Sequence, residues 1–274
     1  MIADVSIAVV TGGGHGIGRS LCRRLHRDGA RVVVVDIDAE AAARVAAEID
    51  GVSICADVGD EVQVAEAIDT VEKDVGPIDL FISNAGVGFG DADDYAASAG
   101  GGMHPIADRW EACWRVNVMA HVYAARVLVP RMVARGGGYL VNIASAAGLL
   151  AQIGDAAYTA TKHAAVGFAE SLAITHGDEG IKVSVVCPQA VATRMIGIED
   201  DSDSLQGGFG GNEIDGILSA DEVADRVVAG VAEGRFLILT HPQVSTYVQR
   251  KAADHDRWIS GMQRFRRRLG GDGQ

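Results

Sequence analysis

Cysteine and proline are scarce in this chain of 274 residues, and the shortage of each excludes a class of protein. Its four cysteines lie far apart and form no Cys-x-x-Cys pair, which argues against a zinc site and against a disulfide framework. With five prolines, 22% charged residues and 48% hydrophobic residues, the composition is that of a globular protein and not of a disordered one. Dispersed cysteines suit a reducing compartment, so we expect a cytoplasmic protein.

Positive charge and long apolar runs are also lacking. The net charge of -13 is the opposite of the basic surface that nucleic-acid-binding proteins need. No uninterrupted apolar run approaches the ~20 residues of a helix that crosses a bilayer. Residues 1–10 carry no basic residue ahead of their apolar run, so a signal peptide is not predicted. We therefore expect neither a nucleic-acid partner nor a membrane anchor.

Short apolar runs do alternate with amphipathic stretches along most of the chain. The predicted helices cover residues 17–28, 39–49, 61–75, 110–135, 156–176 and 220–233. The predicted strands cover residues 6–11, 31–36, 52–56, 78–83, 139–144, 182–187 and 235–240. Because these strands are apolar throughout, the alternation predicts a doubly wound α/β fold of the Rossmann type, a seven-stranded parallel sheet with helices on both faces.

Two stretches interrupt the alternation. Residues 86–107 are rich in Gly, Ala and Asp and predict a long loop, while residues 197–216 are acidic and Gly-rich and predict a flexible flap. Regular elements flank both stretches. We therefore predict one Rossmann-type domain over residues 1–242.

The last segment, residues 243–274, is different in character. Apolar residues recur at helical spacing from Val244 to Leu269, next to Arg264 and to three arginines at 266–268. This pattern predicts an amphipathic helical extension that packs on its own core or on a second subunit; a membrane or nucleic-acid contact is the weaker alternative. We expect the protein to be a homo-oligomer, either a dimer or a tetramer.

Glycines follow the first predicted strand, in Thr11-Gly-Gly-Gly-His-Gly-Ile-Gly18. Glycine allows a tight turn and lets the main chain approach a pyrophosphate, whose charge is stabilised by amide groups at a helix N-terminus. The spacing is neither Gly-x-Gly-x-x-Gly nor a P-loop, but its place between a strand and a helix predicts dinucleotide binding. The expected cofactor contacts are Gly12, Gly14, His15, Gly16, Ile17 and Gly18.

Asp36 ends the second predicted strand, eighteen residues after Gly18. A carboxylate there can accept hydrogen bonds from both adenosine-ribose hydroxyls and would repel the 2′-phosphate of NADP. The alternative is a solvated loop aspartate, which fits less well because four valines hold the residue at a strand end. We therefore predict NAD as the cofactor, with Asp36 and the adjacent Ile37 among its contacts.

Tyr158 and Lys162 lie four residues apart on a predicted helix, so they share one face. Alone, this spacing is equally typical of an ordinary exposed pair. A free phenol with a pKa of ~10 is a poor base at neutral pH. An ammonium one turn away is expected to stabilise the phenolate and lower that pKa, which would make Tyr158 a general acid/base.

Together these residues resemble the classical short-chain dehydrogenase/reductase (SDR) family, over about residues 6–240. The glycine-rich turn matches that family's Thr-Gly-x-x-x-Gly-x-Gly. The resemblance extends to Asp57 with Val58 beside it, at the family's adenine contact, and to Asn84-Ala85-Gly86 after the fourth strand. Four residues match the catalytic tetrad of the family: Asn117, Ser145, Tyr158 and Lys162.

The resemblance implies an NAD-dependent oxidoreductase acting on CH-OH groups, and it implies a role for each residue of the tetrad. Tyr158 would exchange the proton, and Lys162 would also bond the nicotinamide ribose. Ser145 would hydrogen-bond the substrate oxygen, and Asn117 would hold a water that links Lys162 to solvent. Val191 and Thr193 keep the pattern that holds the nicotinamide end of the cofactor, although Pro188-Gln189 replaces the family's usual Pro-Gly.

The predicted substrate pocket has apolar walls. Leu149, Leu150 and Ile153 follow Ser145, and Met195 and Ile196 begin the predicted flap. These residues favour an uncharged, fairly hydrophobic secondary alcohol or ketone, for example a steroid-like or terpenoid alcohol. Preference for NAD favours oxidation of the alcohol.

Two other functions stay open at this point. One is an NAD(H)-binding sensor or regulatory protein on the same fold, which would have no need of the complete tetrad. The other is an NADP-dependent reductase of 3-oxoacyl thioesters, which conflicts with Asp36. No metal site is predicted from the residues.

Overall fold

A computed structural model describes residues 5–90, 105–200 and 215–271 of the chain. Within those ranges seven strands form one parallel sheet in the order β3-β2-β1-β4-β5-β6-β7. The strands are β1 (Ile7–Thr11), β2 (Arg31–Asp36), β3 (Val52–Cys55), β4 (Leu80–Ser83), β5 (Gly138–Ile143), β6 (Ile181–Val186) and β7 (Leu237–Ile238). The predicted doubly wound, Rossmann-type fold is therefore confirmed.

Helices cover both faces of the sheet. They are α1 (Gly16–Arg27), α2 (Ala39–Glu48), α3 (Glu61–Asp74), α4 (Pro105–Trp114), α5 (Ala120–Ala134), α6 (Ala156–His176), α7 (Ala220–Ala232), α8 (Gln243–Ala253) and α9 (His255–Gly271). Side chains of α1, α2 and α7 belong to one hydrophobic cluster and those of α3, α5 and α6 to another. The sheet therefore lies between two cores.

The strand sequences explain why both faces of the sheet are covered. In β2, Val32 and Val34 belong to the core under α1, α2 and α7, whereas Val33 and Val35 belong to the opposite core. Successive side chains of a strand point to opposite faces, so a run of four valines must be buried on both. The parallel arrangement brings the carboxyl ends of the strands to one edge, where the predicted site residues follow.

Helix α6, which carries Tyr158 and Lys162, begins at a well-formed cap. The side chain of Asp155 accepts a hydrogen bond from the main-chain N–H of Tyr158 at 2.9 Å. Such a cap stabilises a helix by about 1 kcal/mol. It also fixes the first turn of α6, and with it the position of the Tyr158 side chain at the sheet edge.

The segment before β5 differs from the prediction. A single helix was expected over residues 110–135, but α4 begins earlier, at Pro105, and a π-helical turn at Arg115–Met119 separates it from α5. Proline suits the first position of a helix because its missing N–H would have no partner there. The loop prediction for residues 86–107 is therefore wrong for 105–107, while 91–104 lie outside the described residues.

The C-terminal part also differs in detail. The strand predicted over residues 235–240 is only Leu237–Ile238, because it is an edge strand and Arg226 donates a hydrogen bond to the carbonyl of Thr240. The amphipathic extension forms two helices, α8 and α9, which meet at Asp254. Of the predicted flap, residues 201–214 lie outside the described part of the chain. No helix among the described residues has both the length and the apolar character to cross a bilayer.

Candidate active site

The sheet order reverses between β1 and β4, and a cavity of about 390 Å³ opens at the carboxyl ends of the strands there. Such a switch point is where open α/β sheets bind ligands. A second cavity of about 590 Å³ adjoins the first. Ser145 and Tyr158 line both cavities, so they lie where the two meet.

The glycine-rich turn is packed too closely for side chains. Gly12 has φ +61°, in the left-handed region, and a Cβ on Gly18 would lie 1.9 Å from the carbonyl oxygen of Gly12. The Asn84 amide donates to the carbonyls of Thr11 and Gly12 at 2.9 and 3.1 Å, which ties β4 to the turn. The main chain of the turn therefore forms one wall of the first cavity, as close approach to a pyrophosphate requires.

Asp36 is held at the rim of the same cavity. Its Oδ2 accepts a hydrogen bond from the N–H of Gly14 at 2.9 Å, and its Oδ1 accepts one from Asp38 at 3.0 Å. The side chain is buried, at 8% exposure, but each oxygen keeps a lone pair that points to no described donor. The carboxylate can therefore accept two hydroxyl groups in a fixed orientation, which fits an adenosine ribose.

Most of the predicted cofactor contacts line this first cavity. Gly14 and Gly18 do not line it. The N–H of Gly14 donates a hydrogen bond to Asp36, and the absence of a side chain on Gly18 lets α1 approach the turn. Those in the wall are Gly12, His15, Gly16, Ile17, Asp36, Ile37, Asp57, Val58, Asn84, Ala85, Gly86, Tyr158, Lys162, Val191 and Thr193. A nicotinamide dinucleotide fits this cavity, which offers main-chain amides, the buried carboxylate of Asp36 and the ammonium of Lys162.

Ser145 and Tyr158 bring hydroxyl groups to the boundary between the cavities, which Gln189 also lines. Ser145 follows β5 and caps a short helical turn, where its Oγ accepts the N–H of Ala147 at 3.1 Å. The Ser145 hydroxyl donates to the carbonyl of Pro188 at 3.4 Å, and it is close enough to the phenol of Tyr158 to lower the pKa of that group. Two hydroxyl groups therefore face the space that a carbonyl or carbinol oxygen could enter.

The pKa of Tyr158 departs from the prediction. Burial raises the pKa of this phenol to about 12, and the nearby Ser145 hydroxyl lowers it only in part. The predicted lowering by Lys162 is therefore wrong for this structure. The physical reason is that the Lys162 ammonium lies over the face of the Tyr158 ring, 5.5 Å from its centroid, and donates to the carbonyl of Ile143 at 3.0 Å.

Lys162 is itself buried, at 2% exposure. Burial lowers the pKa of its ammonium to about 8. The group remains mostly protonated at neutral pH and supplies the one positive charge beside Tyr158 that the described residues provide. It can therefore donate hydrogen bonds into the first cavity.

Asn117 lies in the π-helical turn and is completely buried. Its amide donates to the Val87 carbonyl at 2.9 Å and to the Thr161 hydroxyl at 3.1 Å, and its oxygen accepts the N–H of Val87. Both amide hydrogens are thus used in joining the segment after β4 to α6. A π-turn inside a helix is frequent at functional sites, and here it directs Asn117 toward Lys162.

Sequence reasoning missed Asp200. Its Oδ1 accepts the N–H of Gly16 at 2.9 Å, and its Oδ2 lies 2.7 Å from Nδ1 of His15. Burial raises the pKa of this carboxyl group, but the bonds from His15 and Gly16 outweigh it and leave the pKa below its usual range. A carboxylate therefore contacts the start of α1, the position that favours anions. Its sequence context, an acidic run, gave no signal of this contact.

The C-terminal helices were also not expected at the site. Lys251 of α8 donates to the carbonyls of Leu149 and Leu150 at 2.8 and 3.0 Å, just after Ser145. From α9, Trp258, Met262 and Phe265 line the second cavity. Leu150, Ile153, Met195 and Ile196 are in that wall as well, whereas the side chain of Leu149 packs on the core instead. The helical spacing of apolar residues predicted an apolar face on this segment, but it did not predict that this face lines the second cavity.

Known proteins resemble this chain in sequence and fold. A family model for short chain dehydrogenases matches residues 6–203. The 1-deoxy-11-beta-hydroxypentalenate dehydrogenase of Streptomyces exfoliatus is 34% identical over 241 residues, which are 85% of this chain and 82% of that protein. The meso-2,3-butanediol dehydrogenase of Serratia marcescens is 32% identical over 195 residues, 70% of this chain and 74% of that protein.

A solved structure agrees with the family match. The short chain dehydrogenase/reductase of Burkholderia phymatum, in complex with NAD, superposes with a TM-score of 0.78 at 29% identity, covering 93% of this chain and 96% of that one. The family model matches well over half of the chain, and its range includes the glycine turn, Ser145, Tyr158 and Lys162. On the fold, the site and these matches, the chain belongs to the short-chain dehydrogenase/reductase family of oxidoreductases.

Proposed function

We propose that this protein is an NAD-dependent dehydrogenase that transfers a hydride between NAD(H) and the carbinol or carbonyl carbon of a fairly hydrophobic secondary alcohol or ketone. The observation that carries the proposal is the position of Ser145 and Tyr158 at the boundary of two cavities. One cavity suits a dinucleotide and the other an apolar molecule. A substrate oxygen that reaches the two hydroxyl groups would lie beside the nicotinamide end of the first cavity.

Asp36 supports NAD in preference to NADP. Its carboxylate is fixed by two main-chain N–H groups, so it could not turn away from a 2′-phosphate. Charge repulsion between a buried carboxylate and a phosphate disfavours NADP. The Burkholderia phymatum relative, whose structure holds NAD, is in accord with this choice.

Each of three residues has a chemical role in the proposal. When bound, the nicotinamide supplies or accepts the hydride. Tyr158 gives the proton to the substrate oxygen in reduction and takes it in oxidation, and Ser145 hydrogen-bonds the same oxygen. Lys162 holds the nicotinamide ribose and keeps a positive charge beside the phenol. Asn117 has a positioning role, because it fixes the segment after β4 against α6 and with it the cavity wall.

The state of Tyr158 bears on direction. Because burial raises the pKa of its phenol to about 12, the protonated form predominates at neutral pH. That form is the proton donor of carbonyl reduction. NAD as the cofactor favours oxidation, whereas the protonated phenol favours reduction. The rates of oxidation and reduction should therefore depend on pH in different ways.

The second cavity supports a hydrophobic substrate. Its volume of about 590 Å³ is in the range of pockets that enclose drug-sized molecules. Its walls include Leu150, Ile153, Met195, Ile196 and Trp258. The names of the two relatives, a hydroxypentalenate dehydrogenase and a butanediol dehydrogenase, are in accord with oxidation and reduction at a CH-OH group.

A panel of secondary alcohols and ketones tests the proposal, with the absorbance of the reduced nicotinamide followed with NAD(H) and NADP(H) in parallel. We expect turnover of bulky apolar members, faster with NAD(H). Clear NAD binding without turnover of any member would favour the sensor function. Faster turnover with NADPH, and of 3-oxoacyl thioesters, would favour the reductase.

A further inference from the structure

One face of α9 forms part of the wall of the second cavity. Trp258, Met262, Phe265 and Arg268 line it at intervals of three or four residues, with Gly261 next to Met262. Residues at this spacing project from the same side of a helix. The stripe is apolar up to its last member, where a guanidinium replaces an apolar side chain. This change of chemistry within one stripe is the first indication of a polar subsite.

The guanidinium of Arg268 has a defined neighbour. Its Cζ lies 5.7 Å from the centroid of the Phe265 ring, within the range of a cation–π contact. Such a contact uses the face of the guanidinium and leaves the N–H groups at its edge available. Arg268 is therefore oriented by the apolar stripe and can still donate hydrogen bonds.

A second cation comes from α8. Arg250 lines the same cavity, one turn after Tyr247, which also lines it. The next residue, Lys251, anchors α8 to the segment after Ser145 through the carbonyls of Leu149 and Leu150. Because this anchor is close in sequence to Arg250, the helix that carries Arg250 is fixed relative to the reacting end of the cavity.

Two acidic side chains also line the cavity, but both are already engaged. Asp155 accepts the main-chain N–H groups of Phe89, Gly90 and Tyr158 at 2.9 Å each. Asp215 accepts hydrogen bonds from the Gln189 amide at 2.9 Å and the Tyr247 hydroxyl at 2.8 Å. Their negative charges are thus stabilised by fixed donors of the protein and do not need a cationic ligand.

The two arginines are in the opposite situation. Both side chains line the cavity while exposed to solvent, and within the described part of the chain neither Arg250 nor Arg268 forms an ion pair with a carboxylate. Arginine presents a planar fork of donors that matches a carboxylate, and such charge-assisted pairs are stronger than neutral hydrogen bonds. The cavity therefore combines apolar walls, a reacting end at Tyr158 and two cations that the described residues leave without a counter-ion.

We propose that the substrate is an amphiphilic acid: a bulky apolar molecule with the reacting secondary alcohol or ketone and, elsewhere on its skeleton, a carboxylate that Arg250 and Arg268 bind. The inference rests on the proposed redox function and narrows its substrate class. It revises the expectation of an uncharged substrate. That expectation was drawn from the residues after Ser145 and at the start of the predicted flap, and it did not take the C-terminal helices into account.

The test uses two pairs of probes that differ only in charge: 4-oxocyclohexanecarboxylate with its methyl ester, and a 3-oxo steroid carboxylate with its methyl ester. The dissociation constant of each probe is measured by calorimetry for the protein saturated with oxidised NAD, with which a ketone cannot react, and kcat/KM with NADH is measured separately. We expect at least one acid to bind about tenfold to a hundredfold more tightly than its ester, the effect of a charge-assisted hydrogen bond.

Variants assign that preference to the two arginines. Arg250→Gln combined with Arg268→Gln should bring acid and ester to nearly equal dissociation constants. Arg267→Gln is the matched control, because Arg267 lies on α9 beside Arg268 but outside the cavity-lining stripe. This single variant should keep the full preference for the acid.

The outcomes separate the inference from the function on which it rests. Equal binding of acid and ester, or a preference that survives the double substitution, overturns the carboxylate site, even if uncharged ketones are reduced. A preference lost in the double variant supports the carboxylate site. If that site is present but no probe or panel member is turned over, the proposed redox function fails and the anion site remains.

Discussion

The two cavities differ in how the chain builds them. The first cavity, where we propose that the dinucleotide binds (the nucleotide cavity), is lined by residues at or just after the ends of β1, β2, β3 and β4 and by others after β5 and β6. The second cavity, proposed for the substrate (the substrate cavity), takes part of its wall from α8 and α9 as well as from segments after β4, β5 and β6. Recognition of a constant cofactor is thus encoded in short motifs, whereas recognition of the substrate depends on residues far apart in sequence.

Two features join the cavities. Ser145 and Tyr158 lie at their boundary, and Asp200, from the segment that also supplies Met195 and Ile196 to the substrate wall, contacts the start of α1. If the cavities act as separate units, substitutions in one should leave the other unchanged, except at these junctions.

Tyr158→Phe should have the largest effect. Loss of the proton donor and acceptor is expected to reduce turnover by about a thousandfold or more, within the range for general acid–base catalysis. The dissociation constant for NADH, measured by fluorescence titration, should change little, because the nucleotide cavity keeps its other contacts. Tyr139→Phe is the matched control, since it removes a buried phenol that bonds Ser184 inside the sheet. A Tyr158→Phe protein with normal turnover would remove Tyr158 from the proposed role.

Asp36→Ala should change the nucleotide cavity alone. We expect the ratio of kcat/KM with NAD to that with NADP to fall by about tenfold to a hundredfold, since a buried carboxylate no longer opposes the 2′-phosphate. The KM for the alcohol should stay the same. Asp38→Asn, which keeps a side chain able to cap α2, is the control. An unchanged cofactor ratio in Asp36→Ala would show that another group selects NAD.

The pH dependence of turnover tests the role of Tyr158, which lies at the boundary of the two cavities. Oxidation needs the ionised form of Tyr158, and burial raises the pKa of this group to about 12, so kcat/KM for the alcohol should rise with pH, by up to about tenfold per unit. The rise should level off near pH 8, because burial lowers the pKa of the Lys162 ammonium to about 8. Reduction needs the protonated phenol and should not rise with pH. Initial rates in both directions check this, and oxidation that slows as the pH increases would contradict it.

Asp200→Asn should have the smallest effect. Its carboxylate contacts the N–H of Gly16 where an anionic cofactor would bind, so the dinucleotide must displace it. Without that charge, the dissociation constant for NADH should fall by about threefold to tenfold. The reason is that fewer protein molecules then hold the side chain of residue 200 where the cofactor must bind. Glu199→Gln, which alters a neighbouring acid that pairs with Arg194, should leave it unchanged. Weaker NADH binding in Asp200→Asn would show that the carboxylate supports the cofactor instead.

The contrast between the cavities also explains what the sequence could predict. Alternating runs predicted the sheet and most helix bounds, and those of β2 and α6 agree with the structure to the residue. The glycine turn and Asp36 were predictable because both follow buried strands, and strand ends in a parallel sheet share one edge. Ser145 also follows a buried strand, β5, but its role was predicted from the family resemblance.

Other features depend on contacts that a linear pattern does not encode. The π-helical turn that carries Asn117 has the same apolar spacing as the helices around it. The pKa of Tyr158 depends first on the burial of its phenol, which spacing on a helix does not determine. Asp200 and Arg268 each reach the site across a large separation in sequence, and no local motif marks either of them.

The most direct test of the central claim is transfer of an isotope label. The protein is incubated with NADH that carries deuterium at both hydrogen positions of the reactive nicotinamide carbon and with a ketone that it reduces, and the alcohol is analysed by mass spectrometry and NMR. Hydride transfer predicts one deuterium on the carbinol carbon of the product, and loss of the label transfer in Tyr158→Phe. Product formed without deuterium at that carbon, or firm NADH binding with no reduction of any ketone, would contradict the account.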